Sequence, residues 1–507
     1  MSSRLIDADV VVVGAGPVGA TLAALLGQCG VRVFIGDANP SIYPLPRAAH
    51  FDHEVMRIFQ QLGLTEELQD WITPANRYVF QNQHGDVLLD FDLSAPADTG
   101  WQGYMMHQPG IETALRRRLD RDVSVDLRTG VTFQRFENAP DGVVSHWSDE
   151  DGPIEVRSRY LVGCDGASSR VRDQAGVGLD DLRFDEPWLV LDLVVDAVNG
   201  LPDVNTQYCD PNRPTTYVIM GNNRRRFEFM LKPGEDPAQM IQDEAIDALL
   251  RPWNTLGLRS VERKSVYRFH ALVAHHWRRD RIFLAGDAAH QMPPFAGQGM
   301  CSGVRDAAAL AWRLHLALMA PNAEALLDSY QQERDPHVRA ITAAAVATGQ
   351  VVCTLDTGMA AGRDEQMLAA KAAGAPPPDI SSPPLQPVFG LPESPCVGVR
   401  FFQPSVAVGK GVLRLDDVLG AGAWLIARDG VRLPRTDAPI RLVRTDAPVL
   451  GPFRGALERW LADAGQDAVL VRPDRYAFGT GAAEALVHAF EAEAGLETRQ
   501  VASAAAV

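Results

Sequence analysis

The run Val10 to Val13, followed by Gly14-Ala15-Gly16-Pro17-Val18-Gly19, constrains this chain more than any other stretch. Four consecutive valines suit a strand buried on both faces of a parallel sheet. The glycines then make a tight turn. Pro17 suits the first turn of a helix that reaches about Cys29, where Gly30 suits its stop. A second strand, Val31 to Ile35, leads to Asp37, eighteen residues beyond Gly19. Strand, turn, helix and strand form a βαβ unit. Its glycines let backbone approach a pyrophosphate, and its helix N-terminus supplies positive potential. Asp37 is placed to accept hydrogen bonds from an adenosine ribose. A glycine turn without a ligand is the simpler alternative, but the strand, the helix and the acid are all present at the required spacing. Val10 to Gly27 is also nearly long enough to cross a bilayer. Gly14, Gly16 and Pro17 interrupt it where a spanning helix would be continuous.

The chain has 507 residues, too many for one core, so roughly two to four domains are expected. Its net charge of -16 argues against nucleic acid and anionic membrane surfaces as partners. None of the six cysteines forms a CxxC pair or sits at zinc-ligand spacing with histidine, so no metal site is expected. Sparse cysteines and the absence of a basic-then-apolar leader fit a cytoplasmic protein with reduced thiols.

Two further motifs follow strands. Tyr160 to Val162 runs into Cys164-Asp165-Gly166, then Ser169, Arg170 and Arg172. Alone this reads as a helix N-terminus with a capping Asp or Ser and surface arginines. Ile282 to Ala285 runs into Gly286-Asp287, then Pro293-Pro294 and the turn Gly297-Gln298-Gly299-Met300. There a carboxylate can hold ligand hydroxyls. The prolines and glycines can keep backbone N–H groups open, and the next helix directs its positive end at them.

Between these motifs the pattern is short strands at about 76–107, a helix at Ile111 to Leu119, and strands at Val123 to Leu127, Val131 to Phe136, Val143 to His146 and Ile154 to Val156. Residues 185–270 are strand-rich, with a hairpin turning at Gly221-Asn222-Asn223. Helices are expected at Gly303 to Met319 and about Ala325 to Gly349. Prolines between 372 and 396 mark a linker. Beyond it lie strands Ala423 to Ala427, Ile440 to Val443 and Ala468 to Val471, and helices Phe453 to Ala464 and Ala482 to Ala494.

The three motifs in this order resemble the class A flavoprotein aromatic hydroxylases, related to p-hydroxybenzoate hydroxylase, over about residues 8–350. The resemblance implies an α/β fold: a Rossmann-like FAD-binding domain, an inserted antiparallel-sheet substrate domain and a C-terminal thioredoxin-like domain. The implied layout is 1–75, 108–184 and 272–350 for FAD, and 76–107 with 185–271 for substrate. A helix and proline-rich linker then occupy 351–396, and the thioredoxin-like part, lacking CxxC, occupies 397–507. The last part is expected to serve packing or dimerisation, and a homodimer is the expected assembly.

By the same resemblance FAD binds non-covalently to Gly14, Gly16, Pro17, Gly19, Asp37, Arg47, Gln108, Gly286, Asp287, Pro294, Gly297, Gly299 and Met300. Asp165, Ser169 and Arg172 are linked to both FAD and nicotinamide. NADH or NADPH binds transiently, since no second GxGxxG is present. The implied reaction reduces FAD, adds O2 to give a flavin hydroperoxide, and hydroxylates a small phenol. Tyr208-Cys209-Asp210-Pro211, Arg225 to Met230 with Pro233-Gly234-Glu235, and Val471 to Arg475 are most similar to 3-(3-hydroxyphenyl)propionate hydroxylases. That points to a hydroxyaromatic acid in aromatic catabolism. An aromatic polyketide hydroxylase and a non-catalytic flavin-bound sensor are the alternatives. Candidates for the phenol base are Tyr208, Tyr217, Tyr267 and His270. Arg213 and Arg225 are candidates for a substrate carboxylate. His290 is expected to make a structural hydrogen bond.

Overall fold

The computed structural model describes residues 4–195, 201–221, 223–253, 258–378, 382–409 and 411–496. Strand Val10–Val13 is wholly buried at the centre of a six-stranded sheet. Its order is Val125–Thr129, Val33–Asp37, Val10–Val13, Tyr160–Gly163, Ile282–Leu284 and Arg278–Arg279. The first five run parallel and the last is antiparallel. Three of these strands, adjacent in space and distant in sequence, deliver the three motifs from the same end of the sheet. Gly14 follows Val13, Cys164-Asp165 follows Gly163, and Gly286-Asp287 comes two residues after Leu284. In an open parallel sheet that end is where ligands bind.

A second sheet of eight strands carries Arg77–Asn82, Val87–Asp92, Leu179–Val195, Asn205–Cys209, Thr215–Ile219, Arg224–Met230, Leu258–Ala274 and the short His290–Gln291. All neighbours are antiparallel except Asn205–Cys209 with Arg77–Asn82. Alternation gives it two different faces. Leu189, Leu191, Leu193, Phe227 and Phe229 make an outer apolar face, covered by helix Asp243–Leu250 through Ile246 and Leu250. The opposite face is polar and turns toward the first sheet. The strand-rich reading of 185–270 misses Asp243–Leu250 and the short helix Pro237–Met240, although Asp236-Pro237 is a cap-and-start signal, with Asp236 accepting from the Ala238 N–H.

The helix placed at Ile111 to Leu119 spans Gln108–Asp120, because Pro109 fits its first turn. The helix placed from Gly303 begins at Gly299. Among the described residues no single helix is long and apolar enough to cross a membrane.

The C-terminal sheet has the order Ile440–Arg444, Ala423–Ala427, Ala468–Val471, Ala477–Gly481. The first pair is parallel and the others antiparallel, with helices Arg454–Asp463 and Ala483–Glu493 beside it. This is a thioredoxin-like layout. The segment between its first two strands, which would carry a redox helix, has no helix.

The proline-rich stretch ends packed rather than free. Phe389 stacks among Trp312, Phe478 and Phe490, and the Val388 and Phe389 N–H groups donate to Glu333 at 2.9 Å each. Glu333, on helix Glu324–Val352, also takes two bonds of 2.8 Å from Arg472, and a close bond from Arg313. Both Glu333 and Arg472 are fully buried. Burial opposes the charge on Glu333, yet Arg472 and Arg313 pull its carboxyl down to about 2. Its folded value lies below its free one, so this stabilisation is present above about pH 4.5 and is lost as pH falls toward 2. Arg472→Met is expected to lower unfolding free energy by about 3–5 kcal/mol, because it leaves a buried charge underpaired. Urea denaturation at neutral pH measures this; a change below about 1 kcal/mol would contradict it.

Candidate functional site

The three motifs meet by contacts that only glycine permits. Gly14 has φ +100°, and a Cβ there would lie 2.5 Å from the Cys164 carbonyl oxygen. A Cβ on Gly286, with φ +63°, would lie 2.9 Å from Val18 Cγ2, and one on Gly303 would lie 2.5 Å from the same atom. The glycine turn, the Asp165 turn and the Gly286 turn therefore pack as one unit. Asp306, on helix Gly299–Met319, fixes the third turn. It accepts from the Gly286 N–H at 3.0 Å, from Arg334 Nε at 2.9 Å, and pairs with His290 Nε2 at 2.6 Å. Burial opposes its ionisation, but His290 and Arg334 hold its carboxyl at about 2. His290 thus makes a structural bond, as expected.

Asp37 closes the first turn. Its Oδ2 accepts from the Ala15 N–H at 2.8 Å, and its Oδ1 accepts from the Asn39 backbone and side chain at 2.8 and 3.0 Å. In the second turn Asp165 accepts from Ser169 Oγ at 2.5 Å and from the Val171 N–H at 3.1 Å. Arg172 is buried and donates to the Ala288 carbonyl at 3.3 Å, tying this turn to the third. The surface-arginine alternative does not describe it.

The helices Pro17–Gln28 and Gly299–Met319 both begin without a side-chain cap. Their first N–H groups have no intrahelical acceptors and carry positive potential. A Cβ on Gly16 would meet open space. Pro294 starts a single 3-10 turn that ends at Gly297 in the left-handed region, just ahead of Gly299 and Met300. Asp287 is solvent-accessible though surrounded by protein, and makes no hydrogen bond among the described residues. Burial raises its carboxyl, opposed by His290 and Arg47. The charge of Arg47 thus reaches both Asp287 and Glu112, and that of Asp37 reaches Glu112. Two open helix ends, close-approach glycines and a free carboxylate suit an elongated ligand bearing phosphates and hydroxyls, as FAD does.

Gln108 is engaged inside the protein. Its Oε1 accepts from the Arg47 and Ala48 N–H groups at 2.9 and 2.7 Å, and its Nε2 donates to Glu112 at 2.7 Å. It shapes the Arg47 segment. From the other side Arg226 donates to the Pro46 and Arg47 carbonyls at 2.7 and 2.8 Å, and Arg263 also bonds the Pro46 carbonyl. Arg226 is held by Asp192 at 2.7 and 3.1 Å.

The polar face of the eight-stranded sheet separates the catalytic candidates. Tyr208 and Tyr217 lie on the outer face, packed on Trp253, and Tyr217 donates to the Pro202 carbonyl. His270 pairs with Asp185 at 3.5 Å away from the cleft. Of the four only Tyr267 is on the inner face, beneath Arg263. Arg213 is clamped by Glu235 at 2.7 and 2.6 Å, and Arg225 sits beside Tyr217. The inner face instead presents Arg226, Glu228, Thr216, Gln207 and Tyr78. Thr216 donates to Gln207, Gln207 to Tyr78, and Tyr78 to the Phe295 carbonyl, at 2.6, 2.6 and 3.1 Å. Sequence reading passed these over. The alternation Arg226-Phe227-Glu228-Phe229 carried the signal, because two polar residues on one face of a strand oppose two phenylalanines on the other.

The chain matches the FAD binding domain family over residues 7–345 and the HcaD C-terminal domain family over residues 430–495. It is 38% identical to "Probable NADH-specific resorcinol 4-hydroxylase" of Rhodococcus jostii, over 93% of this chain and 91% of that protein. It is 33% identical to the 3-(3-hydroxy-phenyl)propionate/3-hydroxycinnamic acid hydroxylase of Mycolicibacterium smegmatis, over 94% and 91%. The fold is shared with the flavin-dependent monooxygenase PieE, crystallised with FAD and substrate (TM-score 0.80, 22% identity, 97% of this chain and 100% of that one). It is also shared with aklavinone-11 hydroxylase in its complex with FAD and aklavinone (TM-score 0.77, 22% identity, 97% and 99%). The convergent turns, the open helix ends and these relatives together place the chain in the FAD-binding-domain family, among the flavin-dependent aromatic hydroxylases.

Proposed function

We propose that this chain hydroxylates a meta-substituted phenol, holding FAD in the cleft between Asp37 and Asp287 and drawing electrons from NADH. The related hydroxylases act by name on resorcinol and on 3-(3-hydroxyphenyl)propionate, and both compounds are phenols with a second substituent at the meta position. NADH is favoured over NADPH by the name of the 38% identical relative. In this reading 1–75, 108–184 and 272–350 serve the cofactor, and 76–107 with 185–271 serve the substrate. The protein works in the cytoplasm.

Bound FAD, once reduced, supplies the means of activating O2 for transfer of one oxygen atom to the ring. The chain supplies position and charge. Asp37 takes the adenosine ribose, and the open end of helix Pro17–Gln28 takes the pyrophosphate. Asp287 takes the ribityl hydroxyls. The N–H groups at Gly299 and Met300 would hold the flavin ring at the helix end, which favours negative charge without adding a titratable group. Arg47 lies along the phosphates. Asp165, Ser169 and Arg172 brace the turns from behind. The substrate ring lies against the polar face of the eight-stranded sheet.

The observation that carries the choice within this class is the engagement of the cations. Arg213 holds Glu235, Arg226 holds Asp192, and Arg263 lies 3.5 Å from Asp192 while bonding Pro46 and Tyr267. A substrate carboxylate would have to displace one of them. A neutral diphenol such as resorcinol would not. The phenolic-acid expectation rested on segments similar to 3-(3-hydroxyphenyl)propionate hydroxylases; of its two carboxylate candidates, Arg213 is held by Glu235 and Arg225 lies beside Tyr217.

Two measurements test this. With resorcinol, kcat/KM is expected to exceed that with 3-(3-hydroxyphenyl)propionate by about tenfold or more, the equivalent of about 1.4 kcal/mol. NADH oxidation coupled to product mass reads it, and the reverse order would overturn the choice. Asp37→Ala is expected to weaken FAD binding by about tenfold or more, as a charged hydrogen-bond acceptor is lost. Flavin fluorescence titration of the apoprotein checks it, with unchanged affinity rejecting the ribose assignment.

A further inference from the structure

Glu228 is a carboxylate that the fold largely buries and, among the described residues, leaves with one long ion pair. It is 6% exposed and makes no hydrogen bond among the described residues. Its nearest cation, Arg226 Nη1, forms an ion pair with it at 3.8 Å, too long for a hydrogen bond, and donates to the Arg47 carbonyl instead. Buried carboxylates without hydrogen bonds are costly, so one that persists calls for a use.

Its position is fixed by neighbours on three sides. Register sets it opposite Val190 on one strand and Thr216 on the other, two residues from Arg226 on the same face. Arg226 grips the Pro46-Arg47 carbonyls. On the far side Tyr78, which feels the Glu228 charge, donates to the Phe295 carbonyl in the loop leading to Gly299. Glu228 therefore lies between the two loops that flank the cleft.

We propose that Glu228 accepts the hydroxyl proton of the phenolic substrate. This rests on the phenol reading above. In the step the phenolic O–H bond breaks and the proton bonds to a carboxylate oxygen of Glu228. The electron pair stays on the phenolic oxygen and enriches the ring carbons ortho and para to it. No oxidant or reductant takes part. The neighbouring oxygens are less able to do this. Tyr78 is already a donor, and burial keeps its phenol protonated. Tyr267 oxygen accepts from Arg263, and Asp192 is held by Arg226.

The groups facing Glu228 set its pH behaviour. Burial favours its neutral form, Arg226 opposes this, Asp192 adds to it and Arg263 opposes it; the outcome is a raised carboxyl. The base is competent above that raised value, so turnover falls as pH drops through it.

Glu228→Gln holoenzyme tests the assignment with resorcinol. Its kcat is expected to fall on the order of 10²-fold with FAD content retained, and the acid limb of the pH profile is expected to vanish. The deficit shrinks with ring-halogenated, more acidic resorcinols. The ultraviolet difference spectrum of bound substrate loses its phenolate band. An unchanged acid limb together with a retained phenolate band overturns the proposal. If Glu228→Gln fails to hold FAD, Glu228→Asp is read instead: it should keep the acid limb at a displaced pH, and a profile identical to wild type with an unaltered rate counts against Glu228. Wild-type protein that hydroxylates no phenol would remove the functional reading itself, whatever the variants do.

Discussion

A Cβ on Gly14 would sit 2.5 Å from the Cys164 carbonyl, and one on Gly303 2.5 Å from Val18 Cγ2. These close approaches are the constraint on which the rest of the molecule depends. They let three turns, contributed by strands more than a hundred residues apart in sequence, share the end of one parallel sheet. Helix Pro17–Gln28 then lies against helix Gly299–Met319, so that two uncapped N-termini open into one space. Larger side chains would force those ends apart, and neither helix alone would define a dinucleotide cleft. The Asp306 cluster makes the arrangement rigid, since a single buried carboxylate there joins a backbone N–H, an arginine and a histidine.

The cofactor half was legible because its signals are local. The strand, glycine turn, helix and Asp37 occupy adjacent sequence, and their mutual spacing is enforced by backbone geometry. Strands Ala423–Ala427 and Ala468–Val471 fell where continuous apolar runs placed them, for the same reason. The substrate half was poorly legible. Whether Tyr208 or Gln207 faces the cleft depends on the register of strand Asn205–Cys209 against its partners, and register is a property of the sheet. A shift of one residue exchanges the faces. The same holds for Arg225 and Arg226: adjacent in sequence, one lies beside Tyr217 on the outer face and the other grips Pro46 and Arg47. Gln108 was expected to contact the cofactor, and its amide is committed to backbone and to Glu112, which no spacing rule reveals.

The C-terminal part carries a thioredoxin-like sheet without CxxC. Its four strands have the thioredoxin-like order, and the segment between the first two strands has no helix. What remains is a packing surface. Arg472 and Phe389 reach into the region of helices Gly299–Met319 and Glu324–Val352, and Glu333 receives donors from the helix, the proline-rich stretch and the C-terminal sheet at once. Helix Gly299–Met319, whose N-terminus opens on the cleft, carries Arg313 and Trp312 at that contact. The appended domain thus clamps the far end of the helix whose near end faces the cofactor.

The arginines of the inner sheet face tie the eight-stranded sheet to the loop at Pro46-Arg47. Arg226 and Arg263 approach Asp192 from adjacent strands, and both donate to backbone carbonyls at Pro46 or Arg47. Carbonyl oxygens carry no net charge, so these bonds fix the loop in space while Asp192 offsets one of the two guanidinium charges and Glu228 lies 3.8 Å from Arg226. The loop is held from the opposite side by Gln108. It is therefore pinned by uncharged backbone groups, its carbonyls held by Arg226 and Arg263 and its N–H groups by Gln108. A clamp of this kind leaves the carboxylates of Asp287 and Glu228 without a hydrogen bond among the described residues, although Glu228 lies 3.8 Å from Arg226.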